Sequence, residues 1–594
     1  MLLARHFAPL ATIARVGHDR VAGDVPRDFG QFDPLGERQE QRKNFRSADH
    51  PRRLITRQRQ RVAGRMRHLR ALRPPPCIAR NHEMPAPREQ PGQAVERLAP
   101  HDHRPTHGQR LEPLEVRREP PRQPAVTPDH AIARASDDQG WGREGGLAHR
   151  IRLALAAPNC KACVMRLLAL LLAFAATTAP AETLRIRVGH LVDPEQGLVF
   201  ADQLVTLTDG KIASITPWQP TDRADLDWSR RWVLPGLIDL HTHVADGYAE
   251  SSDPAEPLKH SAADTALKGA EAARIMLHSG FTTVRDVGVY RGLGDVALRN
   301  AIRAGEVEGP RMIVAGGYVT IPGGGGAVTG APKGTIIGPE FRIGEVRTPD
   351  EARVAVDRLI HGGADFIKLI ATGAVLAVGS DAGALELTPA EMQAACDEAK
   401  RLGSYCIAHA HGTEGIKAAM RAGAWTIEHA SLIDDEGLAM AKARHIWLDM
   451  DIYDGDWIEE VGTREHWTPE YLKKNRDTTD LQRSGFAKAV KRGVPLTFGT
   501  DAGVYPHGLG ARQFAYMVRY GMTPMQAIVS ATAEAAKALR MEGQIGTVRP
   551  GSVADLVAVD RDPIADISVL RCIADVVQAG RLIHRDDARQ RCDR

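Results

Sequence analysis

The chain has 594 residues, of which 43% are apolar and 25% charged. It is therefore too long for one compact domain, and its composition excludes a wholly disordered, collagenous or integral membrane protein. The net charge of +3 conceals two unlike segments: residues 1–160 have 28 Arg, one Lys and 18 acidic residues, a net charge of +11, and the rest has 48 basic and 56 acidic residues, a net charge of −8.

The N-terminal segment, residues 1–164, is predicted to be a disordered leader. Its first 160 residues hold 18 of the 37 prolines and show no lasting hydrophobic period, so they bury too little apolar surface to offset the entropy of ordering. A basic arm for nucleic acid usually mixes Lys with Arg in clusters, whereas Lys43 is the single lysine here. We therefore expect no nucleic-acid partner, and we interpret the leader as GC-rich non-coding DNA read from a misplaced start codon.

Residues 165–181 have the pattern of a secretory signal peptide. Met165 and Arg166 precede a short apolar run, and residues 179–181 form a small-x-small cleavage sequence. The run is too short to cross a membrane, and no cysteine follows the small residues to carry a lipid anchor. We expect initiation at Met165, cleavage near Ala181, a periplasmic or secreted enzyme, and no membrane attachment after cleavage.

The seven cysteines fit neither a disulfide scaffold nor a zinc cluster. The CxxC at 160–163 precedes the predicted signal. Cys396 and Cys406 fall in a predicted helix and strand, where we expect them to be small buried apolar side chains. Cys572 and Cys592 lie near the C-terminus, and an oxidising compartment permits a disulfide between them.

The folded part is predicted to combine a small β domain with a parallel β/α barrel. Short alternating strands at residues 182–234 and 543–594 predict half-sheets that pair from opposite ends. Residues 235–542 alternate apolar runs with helical stretches, which predicts eight barrel strands whose carboxyl ends share one rim. The runs are Leu237–Leu240, Thr282–Arg285, Met312–Val314, Phe366–Ile370, Cys406–Ala408, Trp425–Ile427, Ile446–Leu448 and Pro495–Phe498.

Metal-ligating residue types end several of these predicted strands. The first ends in His241-Thr-His243, where strand alternation puts both imidazoles on the same face. His409, His429 and Asp501 end the fifth, sixth and eighth strands. This set of nitrogen and oxygen ligands suits Zn²⁺, with Mn²⁺, Fe²⁺ and Co²⁺ as alternatives. Histidines bonded to backbone carbonyls would explain any one of these residues, but not all of them together.

Lys368 is the unusual residue of the fourth predicted strand. It lies in an otherwise apolar run, where a buried ammonium group would be costly. If its side chain points into the barrel, it must be paired, neutral or modified. Addition of CO₂ to the neutral amine would give a carbamate, an anionic ligand able to bridge two metals.

Four segments together resemble the amidohydrolase superfamily, in its imidazolonepropionase-like branch that includes Xaa-Pro dipeptidases. They are Val233-Leu-Pro-Gly-Leu-Ile-Asp-Leu-His-Thr-His243, Glu428-His429, Thr500-Asp501 and residues 546–557. The resemblance covers residues 184 to about 582. It implies a distorted (β/α)8 TIM barrel beside a composite β-sandwich, two divalent metal ions, here expected to be Zn²⁺, and a carboxylated lysine.

The resemblance also implies the ligand set. His241, His243 and Asp501 would hold one metal, His409 and His429 the other, and carboxylated Lys368 would bridge them together with a hydroxide. His411 lies two residues past His409. We take His409 as the ligand and place His411 near the substrate, and the reverse assignment stays open.

The resemblance implies hydrolysis of a carbon–nitrogen bond by the bridging hydroxide, with Lys368, His411 and Asp501 as catalytic residues. Asp501 would pass the proton to the departing amine. We expect a small-molecule amide as substrate: a dipeptide, Xaa-Pro-like, or an N-acyl amino acid with an apolar residue. The candidates to contact this substrate are Tyr290, Arg291, His411, His507 and Arg512.

Two loops and two alternative functions complete these expectations. The glycine-rich loop 318–326 is predicted to close over a ligand, and the apolar centre of loop 372–383 to take a hydrophobic side chain. A lactonase, an esterase or a cyclic-amide hydrolase is the alternative enzyme. A catalytically silent binding protein is disfavoured because the ligand set is retained. The sequence leaves a homo-oligomer open.

Overall fold

The structure is a computed structural model that describes residues 182–246 and 253–585. The predicted leader, the signal peptide, the CxxC at 160–163 and Cys592 lie outside the described residues. Within the described ranges, every helix is too short or too polar to traverse a lipid bilayer.

Strands and helices alternate through most of the described chain. The strands are β1 Thr183–Asp193, β2 Leu198–Thr208, β3 Lys211–Pro217, β4 Leu226–Pro235, β5 Leu237–Thr242, β6 Phe281–Asp286, β7 Arg311–Val314, β8 Tyr318–Val319, β9 Ile367–Ile370, β10 Cys406–Ala410, β11 Thr426–His429, β12 Trp447–Asp449, β13 Leu496–Thr497, β14 Leu556–Val559, β15 Asp575–Gln578 and β16 Arg581–Arg585. The helices are α1 Ala262–His278, α2 Gly294–Ala304, α3 Pro349–His361, α4 Pro389–Arg401, α5 Thr413–Ala422, α6 Asp435–Arg444, α7 Asp454–Arg464, α8 Pro469–Arg492, α9 Gln513–Arg519, α10 Pro524–Ser530 and α11 Ala533–Ala538. Each of the eight predicted apolar runs overlaps a strand, and β8 is an additional short one.

The two ends of the described chain share one mixed sheet. Its strand order is β16-β15-β14-β4-β1-β2-β3. β14 pairs antiparallel with β4, with Val557 opposite Leu234, so that the last strands extend the sheet that the first strands begin. Ile186, Val205 and Leu556 are buried in the apolar cluster on this sheet. The predicted pairing of the two ends is therefore present.

The middle of the chain forms two parallel sheets with helices between the strands. β5-β6-β7 make one sheet and β8-β9-β10-β11-β12-β13 the other, in chain order. Thr242 forms an isolated parallel bridge with Ala502, and the N–H of Leu240 donates to the carbonyl oxygen of Phe498 over 2.9 Å. The end of β5 therefore lies beside the segment that follows β13, although the two are about 260 residues apart in sequence.

Local capping signals fix the helix boundaries around these strands. Ser261 and Thr388 precede α1 and α4, and each exchanges hydrogen bonds with the residue three positions later in a capping box. Pro389 is the first residue of α4, where its missing N–H costs nothing. α8 ends at Gly493, whose φ of 64° is a left-handed conformation that glycine adopts without strain.

The prediction for Cys396 and Cys406 is wrong, because these two residues form a disulfide. Both are buried, and their Cα atoms lie 5.3 Å apart where α4 packs beside β10. The short connection between the helix and the strand brings the two side chains within bonding distance, which a reading of each element alone does not reveal. Cys572 is also disulfide-bonded.

Candidate metal centre

The first group of ligands lies where β5 meets the segment after β13. Oδ1 of Asp501 lies 3.1 Å from Nε2 of His243 and 3.4 Å from Nε2 of His241. Nδ1 of His243 is 3.0 Å from the carbonyl oxygen of Gly288. In the tautomer that donates this bond, Nε2 of His243 keeps its lone pair for a ligand. The three side chains are arranged to share one cation.

The second group consists of three histidines at the ends of β10 and β11. His409, His411 and His429 can bring one ring nitrogen each within 4.8 Å of the others. Nδ1 of His429 is 2.8 Å from Oδ2 of Asp451, and Nδ1 of His411 is 2.8 Å from the hydroxyl of Ser431. These contacts orient the rings of His429 and His411 and leave their Nε2 atoms available, whereas Nε2 of His409 lies 3.2 Å from the carbonyl oxygen of Gly373. The structure thus brings both His409 and His411 to this group.

Lys368 is buried beside the two groups. It lies on β9, opposite Ile407 of β10, and its Nζ has no hydrogen-bond partner within residues 182–246 and 253–585. Burial lowers the pKa of Lys368 to about 8, so a larger fraction of the amine is neutral than for an exposed lysine. The rings of His241 and His429 have centroids 4.8 Å apart, so the two groups are neighbours.

Burial keeps most of these histidines neutral, the form that binds metal. It lowers the pKa of His241 to about 4, with a further contribution from Lys368, and it holds the pKa values of His409 and His411 well below the usual range. His243 is the exception. Burial lowers its pKa too, but hydrogen bonding and attraction to Asp501 outweigh burial and raise it to about 9.

A buried ionic network lies directly behind the first group. Nη2 of Arg285 contacts both carboxylate oxygens of Glu428 at 3.0 Å and Oδ2 of Asp449 at 3.4 Å. Oε2 of Glu428 lies 3.4 Å from Nδ1 of His241. Although burial raises the pKa of Glu428, Arg285 and His241 hold it below its usual range. No role was predicted for Arg285, Asp449 or Asp451, because nothing in their local sequence marks a partner more than 20 residues away.

A cavity of about 160 Å³ opens onto both groups. Its apolar wall comes largely from the loop after β9 and from the elements beside it: Ile370, Ala374, Val375, Leu376, Ile458, Tyr471 and Val504. Buried Lys474 holds that loop, since its Nζ donates to the carbonyl oxygens of Ala374 at 3.0 Å, Ser380 at 2.9 Å and Ala377. The predicted loops 318–326 and 372–383 both contribute lining residues.

The predicted substrate contacts are divided between two places. Tyr290 and His411 line the cavity. Arg291 does not, because its guanidinium contacts Glu340 at 3.1 Å and the carbonyl oxygen of His260 at 3.0 Å. His507 and Arg512 line a separate cavity on the other side of the loop after β13. The predicted contacts of Arg291, His507 and Arg512 with the substrate stay predictions, without support from these positions.

The residues present fit a divalent metal. Oδ1 of Asp501 is buried, and within the described ranges its contacts with Nε2 of His243 at 3.1 Å and Nε2 of His241 at 3.4 Å fall short of full hydrogen-bond geometry. Buried polar atoms are normally satisfied, so this arrangement is typical of ligand atoms directed at a common cation. Neutral imidazole nitrogens with a carboxylate oxygen form the donor set that Zn²⁺ and similar ions prefer.

Comparison with known proteins identifies the family. The amidohydrolase family model matches residues 232–583. A Xaa-Pro dipeptidase structure with methionine bound in its active site is 34% identical, with a TM-score of 0.64, and the match covers 68% of this chain and 100% of that one. Ochratoxinase from Aspergillus niger is 28% identical, and the match covers 59% of this chain and 75% of that one. Imidazolonepropionase from Rhizorhabdus wittichii is 26% identical, and the match covers 63% of this chain and 90% of that one. The chain therefore belongs to the amidohydrolase family, in the branch of imidazolonepropionases and Xaa-Pro dipeptidases, and it is a hydrolase acting on carbon–nitrogen bonds.

Proposed function

We propose that this protein is a metal-dependent amidohydrolase that cleaves the amide bond of a dipeptide or an N-acyl amino acid. One observation carries the proposal. Two adjacent groups of ligand atoms, His241 with His243 and Asp501, and His429 with His409 or His411, line one cavity beside a buried lysine whose Nζ has no hydrogen-bond partner among the described residues. A silent binding protein would not need this complete set.

Two divalent cations, proposed to be Zn²⁺, would be held by these groups. We propose that Lys368 carries a CO₂-derived carbamate that joins them, which is supported by the burial of its Nζ and by its neutral amine fraction. When bound, such ions lower the pKa of a water molecule and polarise the scissile carbonyl.

The protein's own residues would move the proton. The Asp501 carboxylate lies at the edge of the cavity, and its pKa is held below the usual range: burial raises it, but His241 and His243 outweigh burial. We propose that Asp501 accepts the proton of the attacking water and returns it to the departing amine nitrogen. We propose that His411, whose Nδ1 lies 2.8 Å from the hydroxyl of Ser431, donates to the substrate from the opposite group.

The cavity wall favours a substrate with an apolar side chain. The loop held by Lys474 presents Val375 and Leu376 to the cavity, and Ile458 and Val504 extend this surface. The methionine bound in the similar Xaa-Pro dipeptidase is such a side chain. A small-molecule amide with an apolar residue next to the scissile bond is therefore the proposed substrate class.

We also propose the wider architecture and location. The two parallel sheets would close into a distorted (β/α)8 barrel, which is supported by the contact of β5 with the segment after β13. The shared sheet of the two chain ends would form the composite β-sandwich. Export through the signal at residues 165–181 is supported by the Cys396–Cys406 disulfide, since disulfides persist in oxidising compartments.

Metal analysis and a substrate screen test the proposal. We expect about two divalent ions per chain, loss of activity on chelation, and recovery on reloading with Zn²⁺. In carbon-13-labelled bicarbonate, NMR should show a carbamate signal that Lys368→Ala lacks. A screen of dipeptides, N-acyl amino acids and lactones should show turnover of the amides with apolar residues. A preference for lactones, or full activity after stringent chelation, would overturn the proposal.

The role of Asp501 has its own test. Asp501→Asn should keep much of its metal yet lose at least about two orders of magnitude in kcat, because the amide cannot accept the proton. Asp350→Asn is the matched control, since the side chain of Asp350 is 93% exposed and pairs with Arg353 on the surface of α3. An Asp501→Asn enzyme as active as this control would exclude the proton-transfer role.

A further inference from the structure

A second cavity, of about 1050 Å³, lies apart from the metal centre. It is bounded by α1, by the 3-10 helix His507–Arg512 and by the 3-10 helix Ile567–Arg571. Its described lining contains four Lys and Arg residues, among them Arg512 and Arg571, but Glu271 is the only acidic one. The metal cavity, by contrast, is lined by five acidic residues. The second cavity therefore favours an anionic ligand.

His507 and Arg512 give this cavity unsatisfied donors. His507 is 4% exposed, and neither of its ring nitrogens has a hydrogen-bond partner within the described ranges. Nε of Arg512 is likewise buried without a partner, whereas its Nη1 donates to the hydroxyl of Tyr453 over 2.9 Å. Buried donors left unpaired are costly, and a rotation of these side chains toward an anionic ligand in the adjoining cavity would satisfy them.

The rest of the wall is largely apolar. Leu267 and Ile275 of α1 face this cavity together with Leu509 and Ile573. A small inorganic anion would leave these side chains without contact. An organic anion with an apolar body would use both the cationic and the apolar parts of the wall.

We propose that this cavity binds an organic carboxylate, whose anionic group accepts hydrogen bonds from His507 and Arg512 and whose apolar body contacts the wall formed by α1 and Ile573. The site is separate from the metal centre but adjoins it through the loop after β13. In that loop Val504 lines the metal cavity, and Gly503 packs so closely on His243 that an added Cβ would lie 2.7 Å from the Cβ of His243.

Fluorine NMR with 4-fluorobenzoate tests the proposal on the purified, metal-loaded protein. We expect saturable binding that persists after the metal is removed by chelation, because the site does not use the metal. The neutral 4-fluorobenzamide should bind at least about tenfold more weakly, since it lacks the charge that Arg512 recognises.

Two variants and a control locate the bound probe. Arg512→Gln and His507→Phe should each weaken 4-fluorobenzoate binding at least about tenfold. Arg303→Gln, which removes an exposed guanidinium on α2, should not change it. Circular dichroism and the thermal midpoint identify a variant that fails to fold, and in that case the other variant decides. Binding that disappears with the metal, equal binding of the amide, or unchanged affinity in a folded Arg512→Gln protein would each overturn the proposal.

Discussion

The buried guanidinium of Arg285 supports a quantitative prediction about stability. It is fully inaccessible, and besides Glu428 and Asp449 it donates to the carbonyl oxygen of Leu240 at 2.7 Å and to the hydroxyl of Thr426 at 3.1 Å. Arg285→Met keeps most of the side-chain volume but removes every one of these donors. The substitution therefore leaves the buried Glu428 carboxylate without this cation, and it leaves Asp449, whose pKa burial and Glu428 raise well above its usual range, without a donor.

The loss of these donors determines the expected decrease in the free energy of unfolding. Removing one partner of a buried ion pair destabilises a protein by about 3–5 kcal/mol, because the remaining charge is uncompensated. Because the carbonyl oxygen of Leu240, the hydroxyl of Thr426 and Asp449 lose a donor as well, we expect Arg285→Met to lie at the upper end of that range. Once Arg285 is gone, the pKa of Glu428 should rise from its depressed value as burial prevails.

A double-mutant cycle with Glu428→Gln measures the pair itself. Urea unfolding of metal-depleted protein, followed by tryptophan fluorescence, should give a coupling of about 1–3 kcal/mol between the two substitutions, because the neutral amide introduced by Glu428→Gln no longer needs the cation. The exposed pair of Arg476 and Glu459 provides the matched control, with a coupling below about 1 kcal/mol. Strictly additive effects of Arg285→Met and Glu428→Gln would refute the argument that the pair is stabilised as a unit.

Two further predictions concern the cavity and the metal. Lys474→Met should raise KM several-fold with a smaller effect on kcat, because the loop that forms the apolar wall loses three carbonyl contacts; Lys473→Met, at an exposed position of the same helix, is the control for steady-state kinetics. In the metal-free protein, His243 with its pKa of about 9 is protonated near neutral pH. Zn²⁺ must displace that proton, so affinity should rise by up to about tenfold per pH unit from about pH 7 to 9 and then level off. Calorimetry in buffers of different ionisation enthalpy should detect the released proton, and pH-independent affinity over that range would contradict the prediction.

The convergence of the proposed ligand residues was predictable because they lie at the ends of strands or just after them. Parallel strands joined by helices place their carboxyl ends on one side, so His241, His409, His429 and Asp501 could be expected to converge without knowledge of any distance. The same rule predicted that Lys368, on a neighbouring parallel strand, would lie close to these residues. In each case the useful information was local: an apolar run followed by a residue with a nitrogen or oxygen ligand.

The direction of loop side chains was not predictable in this way. His507 and Arg512 follow a strand of the same sheet, yet they line the second cavity, because the loop after β13 turns between Val504 and His507. A position after a strand indicates at which end of the sheet a residue lies, but not toward which side of the loop its side chain points. Arg291 shows the same limit, since an ion pair with Glu340 decides its orientation.

The backbone at two of the ligands explains why even their orientation needs the tertiary structure. His429 and Asp501 have φ of 65° and 55°, a left-handed conformation that costs non-glycine residues about 1–3 kcal/mol. The alternation of side chains along a strand ends at such a residue, so its position in the sequence no longer indicates which way its side chain points. Hydrogen bonds from distant segments compensate: Gln482 of α8 donates to the carbonyl oxygen of His429 at 3.2 Å, and the N–H of Asp501 donates to the carbonyl oxygen of His241 at 2.8 Å. The strain is retained at the residues that would bind the metal, which is where a fixed side-chain direction matters most for the reaction.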